Sequence, residues 1–222
     1  MQCQCQEDKL RRIIDLGFEI SQIKDIDLLL EKVLSEARRF TNCDAGSIYI
    51  REGEFLKFSY AQNDTLQGQL QPGKKLPYST FTVPINNHSI SGYVAANGSI
   101  LNIADVFELD LSLPFSFNRS YDDLTGYRTS SMLTIPLKNF RSDIIGVLQL
   151  INAKDSSGSV LPFAKEEEIY ITYFAKNAAT AVERAKMTRE IILRMNKMAE
   201  LRDPKETGPH VNRVAAYSVA LY

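Results

Sequence analysis

The residues with the type and spacing for chemistry concentrate between Ala104 and Ser130 of this 222-residue chain. Thr125 and Thr129 stand four apart there, so a helical turn would aim both hydroxyls at one ligand. Asp122 and Asp123 lie just before them and suit either a ligand contact or the capping of a loop helix. No hydrophobic period holds across the segment, yet aromatic and polar side chains are dense. A loop that long within a compact domain is usually functional. Elsewhere the candidates are sparse. His88, just before a helix start, reads as a loop or capping residue. Cys3, Cys5 and Cys43 make no disulfide framework, and the first two read as stray thiols in a polar leader.

The elements that must position this loop follow from periodicity. Leu10, Ile13, Ile14, Ile20 and Ile23 give residues 8–23 the pattern of an amphipathic helix. Asp27 is placed to cap a second helix, with Leu30, Val33, Leu34, Ala37 and Phe40 as its apolar face. The period then changes. GSIYIREGEFLKFSY sets Gly53 between two β-rich runs, a hairpin signature, and residues 61–79 read as a loop. TFTVPI and ILNI are short strands, and between them Ser89 caps the helix ISGYVAAN, which Gly98 stops. SMLTIPLK and DIIGVLQLINA are the clearest strands. After the loop KDSSGSVLP, one helical pattern runs from about Ala164 past Met198. Strands that cluster rather than alternate with helices predict an α+β fold with an antiparallel sheet of about six strands, flanking helices and a long C-terminal helix.

A helix of roughly 35 residues is about 50 Å long. Its stripe continues as Phe174, Ala178, Ala181, Ala185, Thr188, Ile192, Met195 and Ala199, at steps of four and three. The first half suits a core. The second half predicts a partner helix and hence a parallel homodimer, with Ile13, Ile14 and Ile20 of the first helix as the alternative contact.

Composition narrows the classes. Hydrophobic residues at 44% and charged ones at 24% match a folded globular protein. A net charge of −1 provides no field to hold a polyanion, so nucleic acid is not the expected partner. No apolar run approaches a bilayer span, and the opening MQCQCQEDKLRR lacks a signal peptide's apolar stretch, so a cytoplasmic setting without membrane contact is expected.

Four strings, GSIYI, ISGYVAANGSILNIADVF, YDDLTGYRTSSMLTIPLKN and IIGVLQLINAK, resemble the GAF family over roughly residues 25–186. The resemblance is strongest to the cyclic-nucleotide-binding type of phosphodiesterases and adenylyl cyclases. It implies a six-stranded sheet with a buried pocket, roofed by the short helix and the long loop. A purine would be held by stacking and edge hydrogen bonds, and a cyclic phosphate by amides at the helix start. Carried over by position, Ser47 lies on the first strand and Tyr60 at the stacking position. Ile90 and Ser91 would present amides to phosphate. Asp122, Thr125 and Thr129 fall where the family contacts base and sugar-phosphate. No cofactor is implied for this domain. Methionine-sulfoxide-reducing and bilin-binding members need placed cysteines that are lacking here.

Two departures stand out. Ala61, Gln62 and Asn63 follow Tyr60, where the family often carries an Asp that reads the purine. The family's NK-F-D-E signature is partial: Asn152 is followed by Ala153, Lys154 comes one place late, and Glu167 replaces Asp after Phe163. A Lys154–Glu167 latch remains one option.

The closing string AELRDPKETGPHVNRVAAYSVALY resembles the entrance of HD-GYP phosphohydrolase domains, which typically hydrolyse cyclic di-GMP. That resemblance makes Glu206 and His210 two ligands of a divalent Fe, Mn or Zn centre, four apart on one helix face. Two ligands do not make a hydrolytic centre, so no turnover is expected of this polypeptide. The expected layout is an N-terminal helix over 1–24, a GAF sensor over 25–186, a helical linker over 187–202, and the start of the hydrolase domain over 203–222. The expected role is to sense a small ligand, a purine cyclic nucleotide first among candidates, for a parent phosphohydrolase. The alternative is a ligand-free dimerisation scaffold.

Overall fold

A computed structural model describes residues 19–20, 23, 25–70, 81–202 and 213–218. Most of the expected helix over residues 8–23, and both Glu206 and His210, lie outside the described residues. Two compact units divide the chain, one ending at Ala181 and the other starting at Val182.

In the first unit, α1 (Ile26–Thr41) buries Leu29, Leu30, Val33, Leu34 and Ala37. Asp25, not Asp27, is its cap: one Asp25 carboxylate oxygen accepts the N–H groups of Asp27 at 2.9 Å and Leu28 at 3.0 Å. Asp27 sits instead in the first turn, where its charge complements the positive end of the helix. The hairpin is β1 (Cys43–Glu52) and β2 (Phe55–Asn63), turning at Gly53. The loop expected over residues 61–79 begins later than the sequence suggests. β2 continues to Asn63, whose side chain caps a five-residue α2 (Asp64–Gly68) by accepting the Leu66 N–H.

Next come β3 (Thr82–Pro84), α3 (Ile90–Asn97) and β4 (Leu101–Ile103). The Ser89 hydroxyl accepts the Gly92 N–H at 3.1 Å, and Gly98 closes α3 in the left-handed region. Gly92 is required by close approach, since a Cβ there would stand 2.6 Å from the Pro84 carbonyl oxygen. The long loop holds one short helix, α4 (Ser120–Thr125). β5 (Met132–Lys138), β6 (Ile144–Lys154) and a two-residue β7 (Val160–Leu161) complete the sheet, and α5 spans Glu167–Arg202.

The fold is α+β. Six antiparallel strands run in the order β3-β2-β1-β6-β5-β4, with β7 added beside β6. Gly46 of β1 meets α1, since a Cβ there would stand 2.9 Å from Leu34. Phe40 of α1 packs in turn on Tyr170 and Phe174 of α5, with ring centroids 4.9 and 6.1 Å apart. The other face carries Tyr49, Phe58 and Val147, covered by Val94 and Ala95 of α3. In the second unit, Met187, Ile191, Ile192, Met195 and Met198 of α5 are exposed. No described helix is long and apolar enough to cross a membrane.

Candidate functional site

The sheet face opposite α1 does not close completely against α3 and the long loop. A cavity of about 410 Å³ remains, within the roughly 300–1,000 Å³ common for ligand pockets. Strand alternation decides what points into it. From β1 come Ala45, Ser47 and Tyr49, from β2 Phe58 and Ala61, and from β6 Gln149 and Ile151. Phe58 stacks on Phe81 with centroids 4.6 Å apart and planes 26° apart, while Tyr49 meets Phe58 edge-on at 5.4 Å. Burial pushes the Tyr49 phenol above its ordinary pKa, and a hydrogen bond with Ser47 only partly offsets this.

Of the seven ligand positions carried over by resemblance, Ser47, Ile90, Ser91, Asp122 and Thr129 line the cavity. Tyr60 and Thr125 do not. β1 and β2 lose register between Ile48 and Tyr49, so that Tyr49 pairs with Phe58 but Ile48 with Tyr60. Ser59 is the extra residue, and this bulge turns Tyr60 to the α1 face. There its phenol is pushed up to about 12 by burial and by Glu31 beside it. Phe58 and Ala61 take the cavity-facing places instead.

Thr125 and Thr129 do not share a helical turn. Gly126 adopts φ 68° and ends α4 at Thr125, whose hydroxyl donates back to the Tyr121 carbonyl at 2.7 Å. Thr129 follows in an extended segment. Its N–H donates to one Asp122 carboxylate oxygen at 2.8 Å and its hydroxyl to the other at 2.9 Å. Asp122 is thus a brace across the loop as well as a wall residue, and 8% of it is exposed.

On α3, the N–H groups of Ile90 and Ser91 belong to the first turn and have no intrahelical acceptor, because Ser89 serves Gly92 and Tyr93. Both residues border the cavity. No Lys or Arg does, among the described residues. An anion here would rely on amides and the helix dipole.

Several wall residues escaped the sequence reading. Gln149 is buried, and its amide nitrogen donates to Met132 Sδ at 3.1 Å and Thr134 Oγ1 at 3.3 Å. A glutamine inside the apolar run VLQLI was the available signal. Tyr127 joins the cavity to a buried polar cluster. Its hydroxyl donates to Asp44 at 2.8 Å and accepts from the Asn152 amide at 3.0 Å. Thr65 and the Lys154 ammonium also donate to Asp44. Burial alone would raise the Asp44 carboxyl, but bonds from Lys154, Thr65 and Tyr127 outweigh it and hold the group below its ordinary value. Lys154 is therefore latched to Asp44 rather than to Glu167, which accepts the Ala164 N–H at 3.1 Å. Asn152, at φ 57°, bonds the Arg128 carbonyl and the Ser130 N–H, tying the end of the loop to β6.

A curled antiparallel sheet with one cavity wall built from strands and the other from a short helix and long loop defines a small-ligand sensor architecture. The chain belongs to the GAF domain family, whose model matches residues 25–182. It is 29% identical over 160 residues to the dual 3′,5′-cyclic-AMP and -GMP phosphodiesterase 11 of Drosophila melanogaster, covering 66% of this chain and 10% of that protein. Its identity to the dual phosphodiesterase 11A of Takifugu rubripes is 28% over 182 residues, covering 78% and 18%. The chain thus spans under a fifth of the length of these relatives. In fold it is similar to the GAF domain of a phosphoenolpyruvate-protein phosphotransferase from Coxiella burnetii, with TM-score 0.62 and 16% identity over 82% of this chain and 96% of that one. It is likewise similar to the A. aeolicus nlh2 GAF domain, with TM-score 0.60 and 13% identity over 81% and 98%.

Proposed function

We propose that the domain senses a purine cyclic mononucleotide and regulates a larger signalling protein of the cytoplasm. The observation that carries this is the open cavity, which combines aromatic walls with two first-turn N–H groups of α3 that have no intrahelical acceptor. Phe58 and Phe81 suit a base, and Ile90 and Ser91 suit a cyclic phosphate. A volume of about 410 Å³ favours a mononucleotide over cyclic di-GMP, which is twice the size. The printed names of the phosphodiesterase relatives point to the same ligand class.

The test is native mass spectrometry of the purified protein, then calorimetry with cyclic AMP, cyclic GMP and cyclic di-GMP. Ser91→Pro deletes one amide in the first helical turn, where proline is tolerated. A hydrogen bond to a charged group is worth about 1.5–3 kcal/mol, so binding should weaken by roughly 10- to 150-fold. No retained ligand, and no heat with any of the three, would favour the scaffold reading.

The output is carried by α5 in this proposal. Ile192 and Met195 of the expected seam are exposed, with Met187, Ile191 and Met198 exposed beside them, which supports pairing with a second copy in a parallel homodimer. Light scattering that gives a monomer at high micromolar concentration would overturn it. Residues 203–222 are read from sequence alone as the entrance of an HD-GYP phosphohydrolase domain. Glu206 and His210 would supply part of its divalent metal site. On that reading Glu206 and His210 by themselves do not make a hydrolytic centre, which needs further ligands and an activated water.

A further inference from the structure

A second cavity, of about 400 Å³, lies along the segment that follows β4. It shares only Ser116 and Phe117 with the first. Phe107, Leu109, Leu113 and Phe115 supply apolar wall, and His88 and Arg119 supply nitrogen donors. Phe107 meets Phe117 edge-on at 5.7 Å, which fixes its ring. Two guanidinium groups approach that ring, Arg119 at 4.5 Å and Arg128 at 4.7 Å from its centroid.

Arg119 and Arg128 share this one ring, and neither has a carboxylate within ion-pair distance among the described residues. Attraction to the ring face holds both cations beside it, so an anion placed there would meet two positive charges at once. One acid borders the cavity, Asp110, one of whose carboxylate oxygens accepts the Ser112 N–H at 2.8 Å.

We propose that this cavity is a binding site for a small aromatic anion. The ring of the ligand lies among Phe107, Leu109, Leu113 and Phe115, and its single acidic head meets Arg119, with Arg128 adding to the attraction. The site is independent of the nucleotide reading, because Arg119 lines the second cavity and not the first.

The experiment titrates the protein with anilinonaphthalene sulfonate, followed by fluorescence. Phenyl phosphate and phenylacetate are the competitors, which separate a phosphate from a carboxylate preference. Saturation is expected at one site per chain, with competition by at least one of the two. Arg119→Gln should weaken binding about tenfold or more, the scale of a hydrogen bond to a charged group, and Arg119→Lys should weaken it less. Asp110→Asn should tighten it. Leu111→Glu, at a fully exposed position on the rim, should weaken it without touching the core. Ala61→Trp, which fills the first cavity, should leave it unchanged. Affinity unaltered by Arg119→Gln, or lost in Ala61→Trp, would overturn the proposal, and the second result would place the probe in the first cavity.

Discussion

The sheet wall of the first cavity and the wall built from residues 104–130 are held by different means. Ser47, Tyr49, Phe58 and Gln149 project from strands paired along their length, so backbone ladders fix their positions. Asp122, Tyr127 and Thr129 project from a segment whose regular structure is one six-residue helix. Side-chain bonds fix those: Asp122 to Thr129, Tyr127 to Asp44, and Asn152 to the Arg128 carbonyl. Local stability follows the contact and ladder density of each region, so the loop wall is the one that opens first. A ligand touching both walls stabilises the loop more than the sheet. That difference is what a sensor needs, since a ligand shifts an equilibrium only by its unequal affinity for two states.

The largest expected effect joins the two walls. Asp44 lies on β1, is 3% exposed, and accepts from Lys154, Thr65 and Tyr127. Asp44→Ala strips all three of their partner. Breaking a buried ion pair costs about 3–5 kcal/mol, and the lower end applies because 30% of the Lys154 side chain reaches solvent. Urea denaturation should therefore show a loss of about 3 kcal/mol. A loss below about 1 kcal/mol, the range of surface pairs, would mean that the cluster does not bind the walls together.

Asp122→Ala should be smaller and confined to one wall. It removes the acceptor of the Thr129 N–H and of its hydroxyl, at a cost of about 2 kcal/mol. Hydrogen exchange should accelerate at residues 119–130 and remain unchanged in β1 and β6. Equal acceleration in both regions would contradict the division drawn between them.

The same contrast explains what the sequence made legible. β5 and β6 are apolar, β-rich runs buried on both faces, and Ser89 and Gly98 bracket α3 with residues whose capping chemistry is local, so these elements appear where the sequence pattern puts them. Local chemistry also misleads: Thr125 and Thr129 have helical spacing, but Gly126 stops the helix between them. The bulge at Ser59 leaves no local mark, yet it exchanges Tyr60 for Ala61 on the cavity face. The Asp44–Lys154 pair joins residues 110 positions apart, and only the finished sheet brings them together. Hence strands, caps and the loop residues Asp122 and Thr129 were readable, whereas the bulge in β2, the early end of α4 and the Asp44–Lys154 pair were not.

A pH experiment isolates the Asp44 contribution. Its folded pKa is held below the ordinary carboxylate value, about 3.9 when unfolded, so its stabilisation is complete above that value. The contribution is lost as pH falls through the lower folded value. Comparing wild type with Asp44→Asn, the stability difference should be constant near neutrality and shrink below about pH 4. A difference that persists unchanged to the lowest measurable pH would assign the effect to packing instead of charge.

The smallest effect is the sharpest test of the sheet wall. Tyr60 was expected at a stacking position, and the bulge places it on the α1 face beside Glu31. Tyr60→Phe removes only the phenol oxygen, which is bonded away from the cavity. One hydrogen bond to a charged partner, partly open to solvent, limits the stability loss to about 1 kcal/mol. Nucleotide affinity should change by less than about twofold, or roughly 0.4 kcal/mol. Phe58→Ala offers the contrast, because it removes one ring of the stacked pair on the cavity face and should weaken binding well beyond that limit. Both variants are measured by the same calorimetric titration, with denaturation curves to separate affinity from unfolding. If Tyr60→Phe weakens binding while Phe58→Ala leaves it intact, the register of β1 and β2 differs in the bound protein, and Tyr60 returns to the cavity.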